Sequence, residues 1–133
     1  MARLSIFAAA MTLALTASVA SAATLPLVVG TYVCDEFACH DAPFAAIKDF
    51  DGRSFSGAHS SGCDTVVLGR QGSRYATRTT CMAQGDGTPM QPFTQLQTVS
   101  VLSSKRFVVT PTKAASAARA AYRLCGSLNR VPH

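Results

Sequence analysis

Apolar and polar residues along this chain change over in short, nearly alternating runs, and few stretches carry the three-to-four spacing of a helix. "GTYVCD", residues 30–35, predicts a first strand. "FAAIKDF", residues 44–50, predicts a second, and Asp51-Gly52 after it is a hairpin signal that returns the chain through "RSFSGAH", residues 53–59. "DTVVLGRQGSRYATRTT", residues 64–80, reads as two strands about a turn at Arg70-Gln71-Gly72-Ser73. "AQGDGTPMQP" is dense in turn residues and predicts a loop. "FTQLQTVSVL", residues 93–102, then "RFVVT", residues 106–110, and "YRLC", residues 122–125, supply the last strands. The alanine-rich "TKAASAARAA" between them admits two turns of helix with Thr112 as N-cap. The expected fold is all-β: a small antiparallel barrel or sandwich of seven to eight short strands, with one short helix near the C-terminus.

The N-terminus breaks this pattern. A basic head at Arg3 is followed by the uncharged run "LSIFAAAMTLALTASVA", too short for a membrane span, and by small residues at Ala20 and Ala22. Residues 1–22 read as a secretory signal with cleavage before Ala23, leaving residues 23–133 as one domain in the periplasm or secreted. The 133-residue chain carries a formal charge of +5, which falls to +4 without Arg3. That is mildly basic, short of a nucleic-acid-binding composition, and export argues against nucleic acid independently.

Five cysteines follow the signal: Cys34, Cys39, Cys63, Cys81 and Cys125. In an oxidising compartment disulfides are the default. Cys63 and Cys81 stand nearly opposite each other about the Gly72 turn and are expected to bridge. Cys125, near the C-terminus, is expected to reach Cys34 or Cys39, with Cys39 favoured and Cys34 left free. The rival is zinc, held by Cys34, Cys39, His59 and Cys63, but the single close cysteine pair lacks the doubled spacing of a structural zinc site. Neither C-x-x-C-H nor C-x-x-C occurs, so neither haem attachment nor a thioredoxin-like role is indicated, and no metal or cofactor is expected.

Few residues carry candidate chemistry. Asp49 and Asp51 followed by Gly52 resemble part of a calcium loop without its remaining ligands, and read more simply as a capped turn. "GDGTP", residues 85–89, reads as another turn. Ser54, His59, Ser61 and Cys63 lie close in sequence and define a small-hydrolase alternative, although no nucleophile motif surrounds them and a bridged Cys63 is no nucleophile. Strand alternation places Arg74 and Arg78 on one face, with Tyr75, Thr77 and Thr79 on the other. With Arg70 in the adjoining turn, Arg70, Arg74, Tyr75 and Arg78 form the candidate binding set. Guanidinium groups bind carboxylates and phosphates in two-pronged fashion, so the expected partner is an anionic protein, a glycan or a lipid headgroup.

"YVCD" (Tyr32–Asp35), "GSRY" (Gly72–Tyr75) and the late Cys125 resemble the periplasmic inhibitors of c-type lysozyme. The resemblance implies a small antiparallel barrel and a loop, carried here by Gly72 and Tyr75, that enters a lysozyme cleft; Gln71 stands where that loop has serine. The wider layout "FDG…GC…Y…TC…GDGTP…YRLC" resembles small exported bacterial β-domains of unassigned function. The leading expectation is a non-enzymatic binding or envelope-associated domain; the alternatives are an inhibitor of a cell-wall hydrolase and a small hydrolase acting through residues 54–63.

Overall fold

The computed structural model describes residues 24–112 and 119–128, and there the chain forms eight strands. They are β1 (Gly30–Cys34), β2 (Ile47–Phe50), β3 (Phe55–Gly57), β4 (Ser61–Gln71), β5 (Arg74–Ala83), β6 (Pro89–Ser103), β7 (Arg106–Pro111) and β8 (Ala120–Gly126). Every pairing is antiparallel, and the order across the sheet is β3-β2-β1-β8-β7-β6-β5-β4. Strands adjacent in the chain are thus adjacent in space, and β8 returns to β1. The one open step is between β3 and β4. There Gly57 and Ser60 exchange backbone hydrogen bonds, and the Ser54 and Thr65 hydroxyls meet at 2.8 Å. The result is a nearly closed up-and-down barrel rather than a sandwich.

Alternation decides what fills it, because successive side chains point to opposite faces of a strand. Tyr32, Phe50, Tyr75, Val99, Phe107, Val109 and Tyr122 are buried together, with Phe55 and Val67 packed against them. Phe55 and Phe107, on strands four places apart in the sheet, bring their ring centres to 4.9 Å, so aromatic rings span this end of the barrel. Leu25 closes the same end from the N-terminal segment, which is held where Val28 N–H donates to Ser104 O at 2.8 Å and Tyr32 Oη donates to Val28 O at 2.6 Å. Burial raises the Tyr32 phenol above its ordinary value.

A second, smaller core lies outside the barrel wall. Residues 35–46, ending in a 3₁₀ turn at Phe44–Ala46, fold over β1 and β8, so that Val33, Ala42 and Ile47 pack with Cys125. The Cys39–Cys125 disulfide fastens this flap. Asp35 anchors its base by accepting from Arg106 and Arg123, and Arg123 also donates to Phe37 O at 2.5 Å. The second disulfide joins Cys63 to Cys81, which stand directly opposite each other on β4 and β5 with Cα atoms 4.0 Å apart. Cys34 is the free cysteine.

Element bounds differ from expectation in ways that have local causes. The second strand starts at Ile47, because Phe44–Ala46 take the 3₁₀ turn. β6 starts four residues early, at Pro89, and passes through Pro92. Its first half pairs only with β5, leaving a side on which a proline's missing N–H removes no ladder bond. The expected C-terminal helix falls largely on residues 113–118, outside the described residues, while Ala120 and Ala121, its last positions, belong to β8. Residues 1–22, the expected signal, also lie outside the described residues.

Candidate functional site

The β4–β5 hairpin turns at Gly72, whose φ of 60° is a left-handed conformation glycine adopts at little cost. On β5 the alternation is sharp: Arg74, Ala76 and Arg78 are exposed, while Tyr75, Thr77 and Thr79 are buried. Arg74 and Arg78 are four residues apart on one face, roughly 13 Å along the strand. Among the described residues neither meets a carboxylate; the ion pairs belong to Arg53, Arg106 and Arg123. Beside Arg74 lies a shallow depression of about 410 Å³ lined by Gly69, Arg70, Gln71, Arg74, Ala76 and Thr98. No acidic residue lines it.

Two members of the expected set are placed differently from expectation. Tyr75 is not a surface anchor: it is 4% exposed and belongs to the barrel core. The ring that the lysozyme-inhibitor resemblance would send into a partner's cleft therefore faces inward. Arg70 does not share a face with Arg74. A bulge between Val67 and Gly69 shifts the register so that Arg70 stands opposite Tyr75 and Gln71 opposite Arg74. Arg70 then lays its guanidinium over the Tyr75 ring, 5.2 Å from the centroid, and donates from Nε to Gly72 O at 2.7 Å. It caps the core at the rim of the depression, and of the expected set the arginines presented freely are Arg74 and Arg78.

The other candidates are engaged in structure. Ser54 is buried against Thr65, Ser61 donates to Gln84 O, and Cys63 is bridged. None of the hydrogen bonds among the described residues joins exposed His59 to them. The disulfides also take Cys39 and Cys63 out of the four-residue zinc set. Among the described residues no cluster of three or more His, Cys, Asp or Glu side chains is placed to hold a metal. Asp51 caps its turn: Oδ1 accepts from Ser54 N–H at 2.7 Å and Arg53 N–H at 2.8 Å, and the Ser54 bond leads in lowering its pKa. Asp49 accepts from the Thr31 hydroxyl. Asp86 closes the 85–89 turn in the same way, accepting from Thr88 N–H at 2.9 Å, which lowers its pKa.

Sequence reasoning missed Lys48. It pairs with Tyr32 across β1 and β2, so it faces the barrel interior, where its ammonium lies 5.5 Å from the Tyr122 ring centre. Burial lowers its pKa. Its period-two relation to Phe50 was the available signal, because residues 48 and 50 share one strand face. Burial first, and the nearby Cys34 second, raise the Tyr122 phenol. Comparison with known proteins adds no assignment: no family model, no curated protein and no solved structure matches this chain.

Proposed function

We propose that this chain is an exported, non-enzymatic β-barrel domain that binds an anionic partner through the outward face of β5. The observation that carries the reading is the pair Arg74 and Arg78, exposed on one face, unmatched by any carboxylate among the described residues, and set beside a depression without acidic lining. A guanidinium is a rigid fork of donors suited to carboxylate or phosphate oxygens. The barrel supplies the rigidity, since β5 is hydrogen-bonded on both sides, to β4 and β6. Two disulfides support an oxidising compartment, as does the signal-like pattern of residues 1–22. No helix among the described residues is long and apolar enough to cross a membrane.

The test is a titration of the ¹⁵N-labelled protein with two soluble probes, inorganic tripolyphosphate and polyglutamate, at low and high salt. Amide shifts are expected at Arg74, Ala76 and Arg78, weakening with salt as exposed charges are screened. The Arg74→Ala/Arg78→Ala variant should lose them while its melting temperature stays nearly unchanged, because both side chains are exposed. Equal binding by that variant would overturn the reading. Export is checked separately by intact mass: the exported fraction should contain a chain beginning near Ala23.

A further inference from the structure

We infer that this face docks on an anionic lipid surface, with Arg74 and Arg78 among the headgroups and Val66, Leu68 and Leu96 in the interfacial layer. This rests on the anion-binding reading above and names its partner.

The cross-strand register carries the argument. Val66, Arg78 and Leu96 are direct neighbours across β4, β5 and β6, so Arg78 stands between two aliphatic side chains on the outer face. The next row is Gly69, Ala76 and Thr98, and the bulge adds Leu68 beside it. Leu68 is 53% exposed, Val66 41% and Leu96 36%, so three aliphatics lie open around Arg78; Val28, Val29 and Leu102 are exposed outside these two rows. One acid, Asp64, lies on the adjoining row with Thr80 and Thr94, and Arg53 stands 3.9 Å from it.

A soluble anion would engage the arginines and leave the three aliphatics in water. A protein partner would be expected to find a clustered aromatic anchor, the type that dominates such interfaces, but the ring on this hairpin, Tyr75, faces inward. Here aliphatic and cationic side chains alternate across three strands about 10 Å wide. That composition fits a plane where headgroup phosphates lie directly above acyl chains. Long arginine side chains can reach up to phosphate while their stems and the neighbouring aliphatics sit lower.

The experiment is flotation of the protein recovered from the exported fraction, with its N-terminus defined by intact mass. The vesicles are phosphatidylcholine alone or phosphatidylcholine with phosphatidylglycerol, and tripolyphosphate binding is measured in parallel. Binding should require phosphatidylglycerol and weaken about fivefold for Arg74→Ala or Arg78→Ala, the worth of one basic residue near an anionic surface. Leu68→Ser should weaken flotation about fivefold through lost apolar burial, leaving tripolyphosphate affinity and melting temperature unchanged. Tripolyphosphate binding without flotation, or flotation indifferent to Leu68→Ser and Val66→Thr, would overturn the lipid inference and leave the anion reading standing. Binding to neither would overturn both.

Discussion

Removing the two disulfides in turn should destabilise the domain unequally, and in an order the chain spacing sets. Cys39–Cys125 closes a separation of 86 residues and Cys63–Cys81 one of 18. If a bridge stabilises by restricting the unfolded chain, these loops are worth about 4.6 and about 3.2 kcal/mol. The smaller loop lies inside the larger, so the closed inner bridge shortens the outer loop and trims its value to about 4.4 kcal/mol. The structure keeps the order. Without the outer bridge, the 35–46 flap retains Asp35 with Arg106 and Arg123, partly exposed pairs of modest individual worth. Without the inner bridge, Cys63 and Cys81 still lie in a hairpin paired over most of β4. Cys39→Ala/Cys125→Ala should therefore cost about 1 kcal/mol more than Cys63→Ala/Cys81→Ala. Urea unfolding monitored by circular dichroism, in a Cys34→Ala background to prevent thiol exchange, measures both. For a urea slope of about 1–2 kcal/mol/M, the outer pair should lower the midpoint by roughly 2–4 M, a third or more of the stability of a typical domain. An inner-pair variant as destabilised as the outer, or more so, would refute the loop-length reasoning and put the stabilisation in native packing around Cys81.

Two further changes report on the barrel interior. Tyr75→Ala should cost about 3–5 kcal/mol as a large-to-small core change, and Tyr75→Phe about 1 kcal/mol or less; a Tyr75→Ala protein that melts normally but loses its partner would put the ring back at the surface. Lys48→Met should stabilise at neutral pH by about 1 kcal/mol, since it removes a charge that burial disfavours. The folded pKa of Lys48 lies below its unfolded value near 10.5, so wild-type stability should rise relative to the variant as pH climbs from the lowered value toward 10.5, and the gap should close. The gap would stay constant with pH if Lys48 were fully solvated.

What the sequence could tell followed from how local each feature is. Asp51-Gly52 and the Gly72 turn specify hairpins within a few residues, and both form. The opposed position of Cys63 and Cys81 follows from one turn and two strands. The pairing of β8 with β1, which closes the barrel, depends on chain ends far apart in sequence and had only Cys125 to suggest it. The bulge at Leu68 is signalled only by Gly69, a glycine inside a strand run, and it moves Arg70 to the Tyr75 side. Tyr75 shows a different failure. Alternation already placed it opposite the arginines with Thr77, but its value as an interface residue outweighed the face it occupies.

The arginines can be sorted by asking what each would do if the chain had only to fold. Arg106 and Arg123 neutralise Asp35 and hold the flap, and Arg53 stands by Asp64. Arg70 covers the Tyr75 ring. β4 is the end strand of the sheet, and beyond the short β3 it has no strand beside it. Charges and a bulge on such an edge also discourage pairing with another chain, which accounts for Asp64, Arg70 and the irregularity at Leu68. None of this reaches Arg74 or Arg78. They lie on β5, paired along both sides, so there is no edge to protect, and folding gives them no carboxylate or ring to meet among the described residues. Their outward face would be equally stable with threonine, as at Thr80 in the same alternating series. Two unmatched guanidinium groups on a strand paired along both sides, with exposed aliphatics between and beside them, are a feature of the described residues that folding does not require.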